Sequence, residues 1–104
     1  MKIEKENVPL NEMQQIIHKN AIDHGWYERE RPIPEMLCLV HSEVSEALEA
    51  YRVSDMGLFA EELADVAIRL FDMSQYLNIN LNDQIIKKHN KNVDRPYRHG
   101  GKVC

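Results

Sequence analysis

This chain has few of the residues that build sheets, disulfide scaffolds or membrane spans. It holds two cysteines in 104 residues, Cys38 and Cys104. Two thiols make no disulfide framework, and Cys38 sits in an apolar segment where it reads as a small core residue. No His or Cys pair has zinc spacing. A reducing compartment, the cytoplasm, is the expected location. Alternating β-branched runs are absent, which argues against a sheet protein. No apolar run is long enough to span a membrane. The opening Met1-Lys2-Ile3-Glu4-Lys5-Glu6 is too polar for a signal peptide. There is no internal repeat and no low-complexity stretch. Aromatic residues are 7% of the chain, and the basic end holds only Tyr97. That end therefore lacks the interleaved aromatics of a single-strand platform, and no nucleic-acid partner is expected.

Helical periodicity fills the space those absences leave. A first helix is predicted from about Leu10 to Ala21, with Asn11 near its start and Met13, Ile16, Ile17 and Ala21 as its stripe. His24-Gly25 ends it, since Gly favours the position after a helix. Trp26 to Pro34 reads as a loop because of Pro32 and Pro34. A second helix is predicted from about Glu35 to Tyr51, with Leu37, Val40, Val44, Ala47, Leu48 and Tyr51 as its seam. Ser54, Asp55 and Gly57 mark a turn. A third runs from about Leu58 to Leu77, with Phe59, Leu63, Val66, Leu70, Met73 and Leu77 inward. A fourth runs from about Leu81 to Asn92. The expected architecture is all-α: one domain over 1–104, four antiparallel helices, with 93–104 a flexible basic tail. The first helix is short and polar, so a second subunit is expected to cover part of the apolar surface.

Charge is unevenly placed. Residues 1–86 carry seven Lys and Arg against sixteen Asp and Glu, and residues 87–104 carry six against one. Within the acidic body stand two pairs, Glu43-x-x-Glu46 and Glu62-x-x-Asp65. Residues three apart share a helix face, so each pair points both carboxylates one way. Both pairs lie beside an apolar seam rather than opposite it. Ala47, Ala50, Ala64 and Ala67 would let the two helices approach closely. Two like charges about 4 Å apart repel by roughly 4 kcal/mol at an effective dielectric near 20. A hard divalent cation relieves that, and oxygen-only ligands point to Mg²⁺ or Mn²⁺. Glu43, Glu46, Glu62 and Asp65 are the candidate ligands.

The stretch from Leu39 to Arg52, followed by Glu61-Glu62-Leu63-Ala64-Asp65-Val66, resembles the MazG-like nucleotide pyrophosphohydrolases of the all-α NTP pyrophosphatase superfamily. Fifteen residues separate Glu46 from Glu62, which suits that family's ExxE–ExxD pattern. His24-Gly25-Trp26 and the end pattern Lys88-x-x-x-Asn92-x-x-Arg95-Pro96-x-x-His99-Gly100-Gly101-Lys102 are similar too. The resemblance implies a MazG-like bundle completed by oligomerisation. It implies hydrolysis of a nucleoside triphosphate between its α- and β-phosphates, releasing monophosphate and pyrophosphate in nucleotide-pool housecleaning. It makes Glu43, Glu46, Glu62 and Asp65 metal ligands and catalytic residues, with Glu61 a further candidate base.

Lys88, Asn92 and Arg95 become candidate phosphate ligands, and Arg69 can pair with Asp65 or reach phosphate. Trp26 and Tyr27 are candidates to stack on a base, and His18 to touch base or sugar. His99 and Lys102 would close over the nucleotide. A homodimer or homotetramer is expected. The competing readings are an acidic helical oligomer that binds nucleotide without turnover, and a structural partner protein.

Overall fold

The computed structural model describes residues 1–4 and 6–97, so His99 and Lys102 lie outside the described residues. Four α-helices follow one another: α1 Leu10–Asp23, α2 Ile33–Arg52, α3 Met56–Tyr76 and α4 Leu81–Val93. No strand occurs among the described residues. α3 packs against both α1 and α2, and α4 packs chiefly against α1. No described helix is long and apolar enough to cross a membrane.

The element order follows the helical periodicity, and the boundaries differ where capping decides. α2 begins at Ile33 with Pro34 inside its first turn, not at Glu35. Proline lacks an N–H that the first turn would leave unpaired anyway, so Pro34 starts a helix rather than excluding one. α1 likewise follows Pro9, and Asn11 lies inside it. α3 starts at Met56 because the Asp55 side chain accepts from the Leu58 N–H at 3.0 Å. Asn80 caps α4 the same way, accepting from the Asp83 N–H at 3.1 Å. Each cap contributes on the order of 1 kcal/mol.

Three helix ends share one closure. Trp26 N–H reaches the Ala21 carbonyl and Gly25 N–H that of Ile22. The same pair of bonds ends α2 at Ser54 and Asp55, and α3 at Asn78 and Ile79. This is the Schellman motif, which needs a left-handed residue after the cap. Gly25, Ser54 and Asn78 supply it, at φ of 81°, 58° and 58°.

The face that α2 turns inward differs from the seam expected of it. Met36, Ala47 and Ala50 are buried, and Glu43 lies partly buried with Leu39 and Val40. Leu37, Val44, Leu48 and Tyr51 are 45–61% exposed. α2 thus carries two adjacent faces, and α3 takes the one with small residues because alanines allow the closer approach. On α1 the buried residue is Gln14, which donates to Gln75 at 3.0 Å and to the Ile79 carbonyl at 2.8 Å. Met36, Ala47 and Ala50 are the only hydrophobic residues buried among those described, and no side chain is fully buried. The radius of gyration is 16.2 Å, against about 13 Å for a compact domain of this length.

The two glycines in and beside helices should respond oppositely to a methyl group. Gly25→Ala should destabilise by about 1–2 kcal/mol, because its φ is left-handed and the added carbon meets the Glu28 carboxylate at 3.2 Å. Gly57→Ala should stabilise by about 0.5–1 kcal/mol, since Gly57 is helical and its nearest contact is 3.6 Å. Urea unfolding of the two variants measures both signs.

Candidate metal centre and adjoining cavity

Three of the four paired acids meet where α2 and α3 approach. Glu43, Glu62 and Asp65 can each place one carboxylate oxygen within 4.8 Å of the others. Glu43 and Glu62 are partly buried, and Asp65 is exposed. Glu43 accepts from Arg69 Nε at 2.9 Å through Oε1. Its Oε2 is buried with no hydrogen-bond partner, and so is Oε2 of Glu62. Arg69 therefore pairs with Glu43 rather than with Asp65. Glu46 is exposed and is not one of the three convergent groups, though its carboxylate acts on Glu62.

Glu62 holds its proton more tightly than an ordinary carboxyl group. Its pKa rises from 4.5 to about 7, first because burial disfavours the charge. Interaction with Glu46 adds to the rise, as does repulsion from Asp65 and Glu43. Such a shift at a cleft, built from desolvation and named neighbours, is characteristic of functional sites. All the donors are carboxylate oxygens, the set that suits a hard divalent ion. Glu61 is exposed and stands outside the cluster.

Beside the cluster opens a cavity of about 720 Å³ between α1 and α3, with residues 1–3 at its margin. Glu43, Asp65 and Arg69 form its polar end, with Asp72 along the same strip of α3. Ile16, Ile17 and Ala21 of α1 and Ile68 of α3 form the apolar wall, with Asn20, His24 and Trp26 around it. An apolar pocket with a few convergent polar groups is the usual form of a small-molecule site.

Trp26 stands at this cavity, but it already has neighbours. The Arg31 guanidinium lies over its ring, 3.6 Å from the centroid, and Arg69 lies 5.5 Å away. Arg31 Nε also donates to the Trp26 carbonyl at 2.7 Å. Tyr27 turns to α3, where its hydroxyl donates to Asp72 Oδ2 at 2.8 Å and its ring stacks on Tyr76 at 4.6 Å. Burial and that bond push the Tyr27 hydroxyl pKa up. His18 Nδ1 donates to the other Asp72 oxygen at 2.7 Å. His18 adjoins the cavity only through Asp72, which lines it.

Lys88 and Asn92 are exposed on α4, and Arg95 follows it. None of the three lines the cavity. Asp72, Arg31 and the Ile16–Ile68 wall were missed as site residues by the sequence reading. For Asp72 a signal existed, since it stands seven residues after Asp65 and three after Arg69 on one helical strip. Compared with protein families, with curated proteins and with solved structures, the chain matches none.

Because the fold favours protonated Glu62, its contribution to stability is complete below pH 4.5 and is lost as pH rises through about 7. In chelator-treated protein the melting temperature should fall between pH 5 and 7.5. Glu62→Gln should flatten that slope, and thermal melts followed by circular dichroism read the difference.

Proposed function

We propose that the chain is a Mg²⁺-dependent nucleoside triphosphate pyrophosphohydrolase, with Mn²⁺ able to substitute, and that it acts on the nucleotide pool. The observation that carries this reading is the convergence of Glu43, Glu62 and Asp65 within 4.8 Å, with Glu43 and Asp65 lining a cavity of about 720 Å³. Two oxygens of that cluster are buried without partners, as ligand atoms would be when their cation is removed. The ExxE–ExxD spacing and its resemblance to MazG-like enzymes add the reaction class.

Glu43, Glu46, Glu62 and Asp65 would hold the metal. When bound, the ion would neutralise phosphate charge, orient the α-phosphorus and activate the attacking water. The apolar wall would receive the nucleoside, with Trp26 at its edge, and would keep bulk water from the polar end. Arg69 would meet phosphate oxygens as a planar fork. Lys88, Asn92 and Arg95 keep their phosphate-binding role in this proposal as the contribution of a second subunit. His18 acts through Asp72 to hold the cavity wall in place.

Assembly belongs to the same reading. Leu37, Val44, Leu48 and Tyr51 form a continuous half-exposed stripe on α2, and Leu58 and Leu63 are 40–50% exposed on α3. A surface of this kind marks an interface, and a homodimer or a tetramer of such dimers would cover it. Light scattering at micromolar concentration should give a dimeric mass or larger, and a monomeric mass refutes the assembly.

The activity is tested by product analysis with a panel of ribo- and deoxyribonucleoside triphosphates, with Mg²⁺ and with chelator. Metal-dependent release of monophosphate and pyrophosphate is expected. Glu46→Gln and Asp65→Asn should each lower turnover by about 10²-fold or more with melting curves like the parent's. Unchanged turnover in either removes the metal assignment. Tight Mg²⁺-dependent nucleotide binding with no turnover would identify a binding module instead.

A further inference from the structure

Arg69 is seated against the acid cluster in an informative way. It reaches Glu43 from α3, one helical turn beyond Asp65, and engages only Oε1, leaving Oε2 buried and unpartnered. Its side chain is 32% exposed and that of Glu43 12%. The guanidinium also borders the cavity and lies 5.5 Å from the Trp26 ring, whose nearer cation is Arg31. Arg69 thus stands between the carboxylates and the space an anionic ligand would fill.

We infer that Arg69 is an internal counter-cation: it occupies Glu43 in the metal-free protein, weakens divalent-metal binding while the cavity is empty, and moves to the ligand's anionic group when one binds. The inference rests on the metal reading above. Two effects of opposite sign compete here. A hydrogen bond that orients a metal ligand typically raises affinity by about 10–100-fold. A guanidinium sharing one carboxylate with a doubly charged ion repels that ion, and at the short separation a shared carboxylate imposes this is the larger effect. An arriving polyanion removes the repulsion by taking the guanidinium. Metal and substrate therefore each raise the other's affinity, as any two linked ligands must. The metal is loaded with substrate rather than held at rest. Arg69 is a positioning residue in this scheme, acting on the ion through Glu43.

The test uses the intact chain with an empty cavity and Mn²⁺ or Mg²⁺ alone. By titration calorimetry, Arg69→Gln should bind Mn²⁺ at least about tenfold more tightly than the parent. Arg69→Lys, which keeps the charge, should stay near the parent. Trp26 is the only tryptophan in the chain, so its emission reads the cations around its ring, of which Arg31 is common to parent and variants. Mg²⁺ should change that emission saturably in the parent and not in Arg69→Gln. Equal or weaker Mn²⁺ binding by Arg69→Gln overturns the inference and leaves the metal reading standing. No binding by any of the three proteins overturns both.

Discussion

Like charge at close range is what this molecule has to manage. Glu43 on α2 meets Glu62 and Asp65 on α3 where Ala47 and Ala50 of α2 are buried. Small residues bring the helices close, and closeness brings the carboxylates together. The fold answers the repulsion by raising the Glu62 pKa and by setting a guanidinium on Glu43. Neither answer reaches the second oxygen of either residue, and both oxygens stay buried without a partner. Unsatisfied buried acceptors destabilise by about 1–3 kcal/mol each. Apolar residues of similar volume in place of buried charges are often neutral or stabilising. A helix pair gains no stability from this arrangement.

The cluster is useful only if the groups around it hold still, and the end of α1 provides that. The Schellman bonds fix the backbone of Trp26 directly after Gly25. Arg31 then ties both the Trp26 carbonyl and its ring, and is itself anchored to Glu35 on α2 at 3.4 Å. The result is a loop crossing from α1 to α2 whose aromatic residue is pinned beside Arg69. Single ion pairs near the surface contribute little to global stability. Here their effect is local, since they limit where the Trp26 ring and the Arg69 side chain can go.

The helices and their order were legible in periodicity, and so were the acidic pairs, because spacing of three on a helix is a local property. The inward face of α2 was not. A hydrophobic stripe shows which residues avoid water, and it does not say whether a helix of the same chain or of another covers them. Leu37, Val44, Leu48 and Tyr51 are the more apolar choice, yet α3 packs on the face of Ala47, Ala50 and Glu43. Pro34 misled for a related reason, since a proline stops a helix or opens it according to which turn it occupies. Arg69 was placed on the correct strip, while its choice of Glu43 over Asp65 depends on side-chain reach across helices. The bonds from His18 and Tyr27 to Asp72 span 54 and 45 residues of sequence, beyond any local pattern.

Those last bonds set Asp72 apart from Asp65. Asp65 and Asp72 are two turns apart on one strip, and both border the same cavity. Sequence spacing treats them alike. Asp72, however, accepts from His18 with one oxygen and from Tyr27 with the other. Both oxygens are thus engaged, and each bond also joins α3 to α1 or to the loop that follows it. Asp65 is exposed and belongs to the cluster. The fold has thus divided one acidic strip by hydrogen bonding. Asp72 organises the cavity wall, and Asp65 is left for charge chemistry at its mouth.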